Sequence, residues 1–393
     1  MNIRTSQLGN RLVAVTGVAL LGMGLAACGG STSSSGSTAP GGGLPASVKI
    51  LSIRELTGPV AFAGINAQKG IDLAVGQIEQ QKFLGATKLE VDTKDSSNNT
   101  QEAVSAATQA ITDKSYALIL GPATSAQSSA ISPIVQKSKM PTVYVQSGSD
   151  GIVLGDYTFR VTAPADSYYD LAGQYLKDKN ITTAAVVYNS GNPTLAQLGQ
   201  KTVPGFADKY GFKVTSNDGV QTTAQDFTAT ASQIAKSAPG AVFSLLNGPQ
   251  NPVLINQLRQ DGYQGKILGM TSMGAGNLKT AGQTAAGVVW PTDFTATQPG
   301  ASTQDFVKAY AAKFNGEVPN NYAAEAYDAT WFIARGLKAA GSADRTAVQK
   351  GLSTVAKQGF DGAEGTLTFD GTDLRVKGVL AQWNGTGETV VGK

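Results

Sequence analysis

Two hydrophobic rhythms alternate along most of the chain. Short apolar runs, the pattern of buried strands, are followed by stretches whose apolar positions recur three and four apart, the pattern of amphipathic helices. Val48–Leu56 predicts a strand, and Asn66–Gln81 a helix with Ile71, Val75 and Ile78 on one face. Strands at Leu89–Asp92, Ala117–Leu120 and Thr142–Val145 then enclose helices at Thr100–Asp113 and Ser125–Gln136. The alternation restarts with helix Asp166–Lys179 and strand Ala184–Tyr188. It continues through helices Leu195–Tyr210, Phe227–Lys236 and Pro252–Asp261, and strands Phe212–Ser216, Ala241–Leu246, Lys266–Gly269 and Gly287–Pro291. Helices Thr303–Phe314, Ala323–Ala340 and Thr346–Ala356 follow, then strands Thr366–Phe369 and Val379–Trp383. Strand–helix alternation of this kind predicts parallel sheets covered by helices on both faces. About 345 residues lie beyond Val48, too many for one core, so two doubly wound α/β lobes are expected.

The N-terminus has a different pattern. Arg4 and Arg11 precede an apolar run, Leu12–Leu25, of about fourteen residues. A helix crossing a bilayer needs ~20, so the run reads as the core of a secretory signal. It ends in Leu25-Ala26-Ala27-Cys28, which resembles the lipobox of bacterial lipoproteins. The resemblance implies a signal over residues 1–27 and a diacylglyceryl group on Cys28 as the mature N-terminus. Two or more acyl chains hold a protein on a membrane stably. Gly29–Gly43 is almost all Gly, Ser, Thr and Pro. It cannot bury apolar surface, so residues 28–45 are expected to be a flexible tether of roughly 20 Å reach.

Composition narrows the function. The chain has 31 Lys and Arg against 28 Asp and Glu, and losing the leader's two arginines leaves a net charge of +1. No basic cluster points to nucleic acid. With one cysteine there is no intramolecular disulfide. The chain contains no histidine, which removes Ser-His-Asp and Cys-His catalysis and most transition-metal sites. No Walker loop, dinucleotide fingerprint or nucleophile elbow is present. A carboxylate-only glycosidase survives this inventory, but no close acid pair at strand ends supports one. No enzyme activity, metal or cofactor is therefore expected.

Several stretches, in order, resemble the type I periplasmic solute-binding proteins, in their leucine/isoleucine/valine-binding branch. They are Leu56-Thr57-Gly58-Pro59 with Gly64; Asp92 to Asp95 with Asn98 and Ala103; and Gly121-Pro122 with Thr124-Ser125. Asp226-Phe227 and Tyr322-Ala323-Ala324-Glu325-Ala326-Tyr327-Asp328-Ala329 complete the set. The resemblance implies three crossings between lobes: residues 46–162 plus 291–373 in the first, and 163–290 plus 374–393 in the second. It implies an extracytoplasmic, lipid-anchored monomer that hands a small solute to the permease subunits of an ABC importer. A sensing lipoprotein feeding a signalling partner is the alternative on the same fold.

Ligands of open α/β sheets bind beyond the carboxyl ends of the strands. That rule selects Thr124, Ser125 and Ala126 at one helix start and Ser147, Gly148 and Ser149 in the next loop. Relatives bind a ligand carboxylate at these loops, and Ser125 and Ser149 match the positions. Phe62, Asn192, Gln250 and Ser272 are further candidates. Asp92 and Asp95 are expected at turns, Asp226 at a helix start, and Tyr322, Tyr327 and Trp331 in the core. The second-lobe loops 189–192, 247–251 and 271–277 contain no Asp or Glu. Amino-acid binders of the family present an acid there to the ligand ammonium. Here Asp293 is the nearest acid to enlist, so a carboxylate or carbonyl ligand with an uncharged remainder is expected over a free amino acid.

Overall fold

The computed structural model describes residues 43–391 except residue 275. The leader, Cys28 and most of the expected tether lie outside the described residues. The rest forms two sheets. The first runs, in spatial order, Phe360–Gly362, Gly365–Asp370, Asp373–Arg375, Thr158–Arg160, Thr142–Tyr144, Tyr116–Leu120, Ser47–Arg54, Lys88–Asp95. The second runs Glu388–Val390, Val379–Trp383, Val289–Thr292, Lys266–Leu268, Ala241–Leu245, Thr183–Asn189, Lys213–Val220. Six neighbouring strands of the first sheet and five of the second are parallel, and antiparallel strands from the C-terminal region extend one edge of each. Two doubly wound lobes result, as the pattern predicts. The sequence reading missed Thr158–Arg160, Phe360–Gly362, Asp373–Arg375 and Glu388–Val390, all three residues long and too short for a period-2 signal.

Each sheet is apolar on both faces because adjacent residues point opposite ways. Ile50, Leu118 and Val143 pack with Ile71, Ile78, Phe332 and Leu337 on one side. Their neighbours Leu51, Ile119 and Tyr144 pack with Ala103, Ala107, Ile131 and Val135 on the other. The second lobe repeats this, with Val187, Val242 and Ile267 against Ile234 and Leu258, and Val186, Phe243 and Leu268 against Tyr169, Leu176 and Val203. The expected helix Leu195–Tyr210 is a composite of Pro193–Gln197, a wider π-turn Leu198–Thr202, and Val203–Tyr210. Pro204 has no N–H to donate into an ordinary helical ladder, which accounts for the local change of register.

The chain passes between sheets between Arg160 and Ala165, after Thr292, and between Arg375 and Val379. The second and third passages fall two residues beyond the anticipated boundaries, because Val289–Thr292 and Asp373–Arg375 are still paired in their sheets. No helix among the described residues is long and apolar enough to cross a membrane.

Candidate functional site

The loops that follow the strands of both sheets meet across one cleft. From the first lobe come Val60, Phe62, Ala63, Ala123, Thr124, Ser125, Gln146, Gly148, Thr162, Ala163, Tyr322 and Glu325. From the second come Ala165, Tyr168, Asn192, Thr194, Leu195, Asn247, Met270, Thr271 and Ser272. The space between them is about 730 Å³, solvent at its mouth included. Phe62 and Tyr322 form an edge-to-face wall, their ring centroids 5.7 Å apart.

Both lobes contribute polar side chains, but the carboxyl and the open helix start belong to the first. Helix Ser125–Lys137 begins at Thr124, whose side chain makes no capping bond. Its Oγ1 is buried and has no partner, while it lines the cleft. The first amides of such a helix are themselves unpaired and favour an anion. Ser125 Oγ accepts from the Ser149 N–H at 3.2 Å, which ties the two expected ligand loops together. Gln146 is held at φ 66°, in the left-handed region, with its Oε1 buried and unpartnered. Its N–H donates to Thr162 Oγ1 (2.6 Å) and its Nε2 to the Tyr322 carbonyl (3.2 Å). Strain of this kind persists where surrounding contacts enforce it, and clusters at functional sites.

Thr194 bridges the lobes. Its Oγ1 lies 2.9 Å from Ser125 Oγ and 3.1 Å from Ser149 Oγ. Beside it Gln197 exchanges two bonds with Asp150, from its Nε2 to Oδ2 (2.7 Å) and from the Asp150 N–H to its Oε1 (3.1 Å). The lobes are therefore latched by hydroxyl and amide contacts at the cleft mouth.

One carboxyl lines the cleft. Glu325 accepts from Thr162 Oγ1 (3.0 Å) and Asn321 Nδ2 (3.0 Å) and is buried. Burial, and then its neighbour Asp293, push its carboxyl well above the usual range. Burial raises Asp293 as well. Asp293 Oδ2 is buried and has no hydrogen-bond partner among the described residues. Deeper still, burial pulls the Arg54 guanidinium down to about 10, while the charges of Glu55 and Glu325 act to raise it.

Of the candidates read from sequence, Phe62, Thr124, Ser125, Gly148, Asn192 and Ser272 line the cleft. Four do not. Ala126 is exposed on the outer side of its helix. Ser147 is buried and bonded to Ser128 Oγ (2.7 Å). Ser149 stands behind Ser125 and meets Thr194 instead. Gln250 is spent on the second-lobe loops, its Nε2 donating to the Gln221, Thr222 and Ala224 carbonyls. Tyr322 lines the cleft, although its helical pattern read as core. Sequence reasoning missed Gln146, Thr194 and Glu325. Thr194 carried a signal, since Asn192-Pro193-Thr194 opens a helix after a strand; its neighbour Asn192 caps that helix through Oδ1.

Residues 47–387 match the family model described as periplasmic binding protein. The chain belongs to the periplasmic binding protein family. Among relatives, it is 25% identical to the leucine-, isoleucine-, valine-, threonine- and alanine-binding protein of Pseudomonas aeruginosa, over 82% of this chain and 86% of that one. Among solved structures it resembles the branched-chain amino acid transporter substrate-binding protein LivJ of Streptococcus pneumoniae, in complex with isoleucine. That likeness has a TM-score of 0.80 at 24% identity, over 88% of this chain and 99% of that one. An ABC transporter solute-binding protein of R. palustris in complex with benzoate matches with a TM-score of 0.79 at 18% identity, over 88% and 96%. This periplasmic binding protein thus shares its fold with a binder of an amino acid and a binder of an aromatic acid. Its function is solute binding.

Proposed function

We propose that the protein is the solute receptor of an ABC importer, and that its ligand is a small carboxylate or carbonyl compound with no ammonium group. The observation that carries the ligand class is the asymmetry of the cleft. Thr124, Ser125 and unpaired helix amides offer donors at one end, while the second-lobe lining has no acid. Burial and the neighbouring Asp293 hold the Glu325 carboxyl well above the usual range, which favours its neutral form, so it suits a ligand hydroxyl or amide better than an ammonium. A buried unpaired ammonium is costly.

A thermal-shift screen of keto acids, aromatic acids, amides, polyols and amino acids tests this reading. Carboxylates lacking an ammonium are expected to stabilise the protein, and Ser125→Ala to abolish the effect. Stabilisation by leucine, isoleucine or valine alone, lost in Glu325→Gln, overturns the ligand class. We further propose that Cys28 is acylated and tethers the receptor beside its permease, on the strength of the Leu-Ala-Ala-Cys stretch. Cys28→Ala is expected to release the protein from membranes or leave the leader uncleaved. Unchanged membrane fractionation with unchanged mature mass refutes it.

A further inference from the structure

A second pocket lies wholly within the first lobe, away from the cleft. Helices Ala61–Gln80, Ala301–Lys313 and Asn321–Ala340 enclose it with strand Phe360–Gly362. Its space is about 820 Å³, open solvent included, within the range of small-molecule sites. Phe83, Phe306, Tyr327, Trp331 and Phe360 give it aromatic walls.

Two donors in this pocket have no acceptor. Trp331 is 8% exposed, and its indole Nε1 is buried without a partner. The Tyr327 phenol lies beside the indole without reaching hydrogen-bond geometry, and donates its own proton to Gln77 Oε1 at 2.6 Å. One turn further along the same helix, Arg335 Nε is also buried without an acceptor. Arg335 makes no ion pair among the described residues. Its guanidinium instead rests on three rings, 4.9 Å from Phe360 and 5.8 Å from both Phe83 and Trp331. Desolvated donors without acceptors are uncommon in folded proteins and call for an explanation.

Acids are present on the same walls. Asp328 is engaged, accepting the Ala363 and Glu364 amides at 2.7 and 2.9 Å. Asp361 takes the Thr366 hydroxyl at 2.7 Å, and Asp305 stands at the edge. They leave the two unpaired donors unanswered.

We propose that this pocket is a second ligand site, taking a small carboxylate carried on a flat apolar body. A carboxylate has the two acceptor oxygens that a guanidinium edge and an indole N–H require, and a planar body suits the aromatic walls. A simple aromatic acid and an aromatic amino acid share this chemistry. The site is independent of the cleft and of the function proposed for it.

The chain has three tryptophans, so indole N–H resonances of the full-length protein, isotope-labelled and held in detergent, report the site directly. Trp331→Phe assigns the relevant signal. Benzoate or phenylalanine is expected to move the Trp331 resonance in a saturable way, in wild type and in Ser125→Ala alike. Phenylalanine acting with benzoate inactive assigns the zwitterion, and the reverse the simple acid. Arg335→Gln should abolish the shift, and Arg335→Lys should weaken binding at least tenfold, with the Trp290 and Trp383 signals in place as the check on folding. No shift with either compound, a shift that survives both Arg335 variants, or loss of the shift in Ser125→Ala overturns the proposal. So does a response to phenethylamine alone, which would make the acids the binding groups.

Discussion

Thr194→Val isolates the latch between the lobes. Thr194 Oγ1 bridges Ser125 Oγ at 2.9 Å and Ser149 Oγ at 3.1 Å, two hydroxyl–hydroxyl bonds across the lobes. Valine keeps the shape of the side chain, including the methyl that would stand 3.2 Å from a Cβ built at Gly148. Only the two inter-lobe hydrogen bonds are lost. In the open form the hydroxyls exchange these bonds for water, so each is worth a net ~0.5–1.5 kcal/mol. The closed form should therefore lose roughly 1–3 kcal/mol, and ligand affinity should fall by roughly five- to a hundredfold. Isothermal titration with the compound that stabilises the protein most in the thermal-shift screen measures this. Thr194→Ser, which keeps the hydroxyl, should retain most of the affinity. Equal affinity in wild type and valine variant, or equal losses in valine and serine variants, would refute the latch.

Three further outcomes follow from the packing and the buried charges. A Cβ at Gly70 would stand 2.1 Å from the Ala323 carbonyl oxygen, across the contact between helices Ala61–Gln80 and Asn321–Ala340. Gly70→Ala should lower stability by ~1–3 kcal/mol or more in urea unfolding, and an unchanged midpoint would count against this crossing. Arg160 binds both oxygens of Asp373 (2.5 and 2.7 Å) and the Ser147 and Ser149 carbonyls (3.1 and 2.6 Å). Arg160→Met should loosen that loop and reduce ligand affinity as well as stability, because it strands two carbonyls and leaves Asp373 only its weaker pairing with Arg375 at 3.3 Å; loss of stability with full affinity would separate the loop from the site. Burial raises Glu55 and Glu388 to about 7 and pushes Glu325 and Glu364 well above the ordinary range. The folded protein then holds protons that the unfolded chain gives up above its ordinary value of 4.5. The contribution of Glu55 and Glu388 is complete below pH 4.5 and is lost as pH rises through 7, so the unfolding temperature should be higher at pH 5.5 than at pH 8, and the opposite order would contradict the burial of these acids.

The architecture was legible because its signals are long. Most parallel strands buried on both faces read as continuous apolar runs, and most flanking helices as a 3.6-residue period, whereas the buried parallel strand Thr158–Arg160 is too short to show either. The antiparallel edge strands left little trace, since three residues such as Glu388–Val390 carry no periodicity and are fixed by pairing with Val379–Trp383. At the site, the rule that ligands gather at strand ends led to Thr124, Ser125 and Gly148. It gave no means of separating lining from support. Ser147 and Ser149 are near neighbours of Gly148 in the chain, yet one bonds inward to Ser128 and the other backs Ser125. The acidic residues divide in the same way. Asp95 gathers the Leu56 and Ser97 amides at 2.9 and 2.8 Å to fix a turn, and Asp226 takes the Thr228 N–H at 3.1 Å, both in the structural roles expected of them. Glu325 was invisible because it lies in an alanine-rich helix whose pattern announces packing. Only the tertiary fold sets the N-terminal turns of that helix against the cleft. Gln146 was missed for another reason, since a left-handed backbone at a non-glycine residue has no sequence signature.

Small-angle X-ray scattering tests the solute-receptor reading most directly, since a cleft latched across its lobes by Thr194 requires a ligand to draw the two lobes together. The full-length protein in detergent is compared with and without a saturating concentration of the compound selected by thermal shift. The account predicts a smaller radius of gyration in the bound form, with Thr194→Val requiring more ligand to reach it. An unchanged radius at saturation would contradict closure as the means of binding.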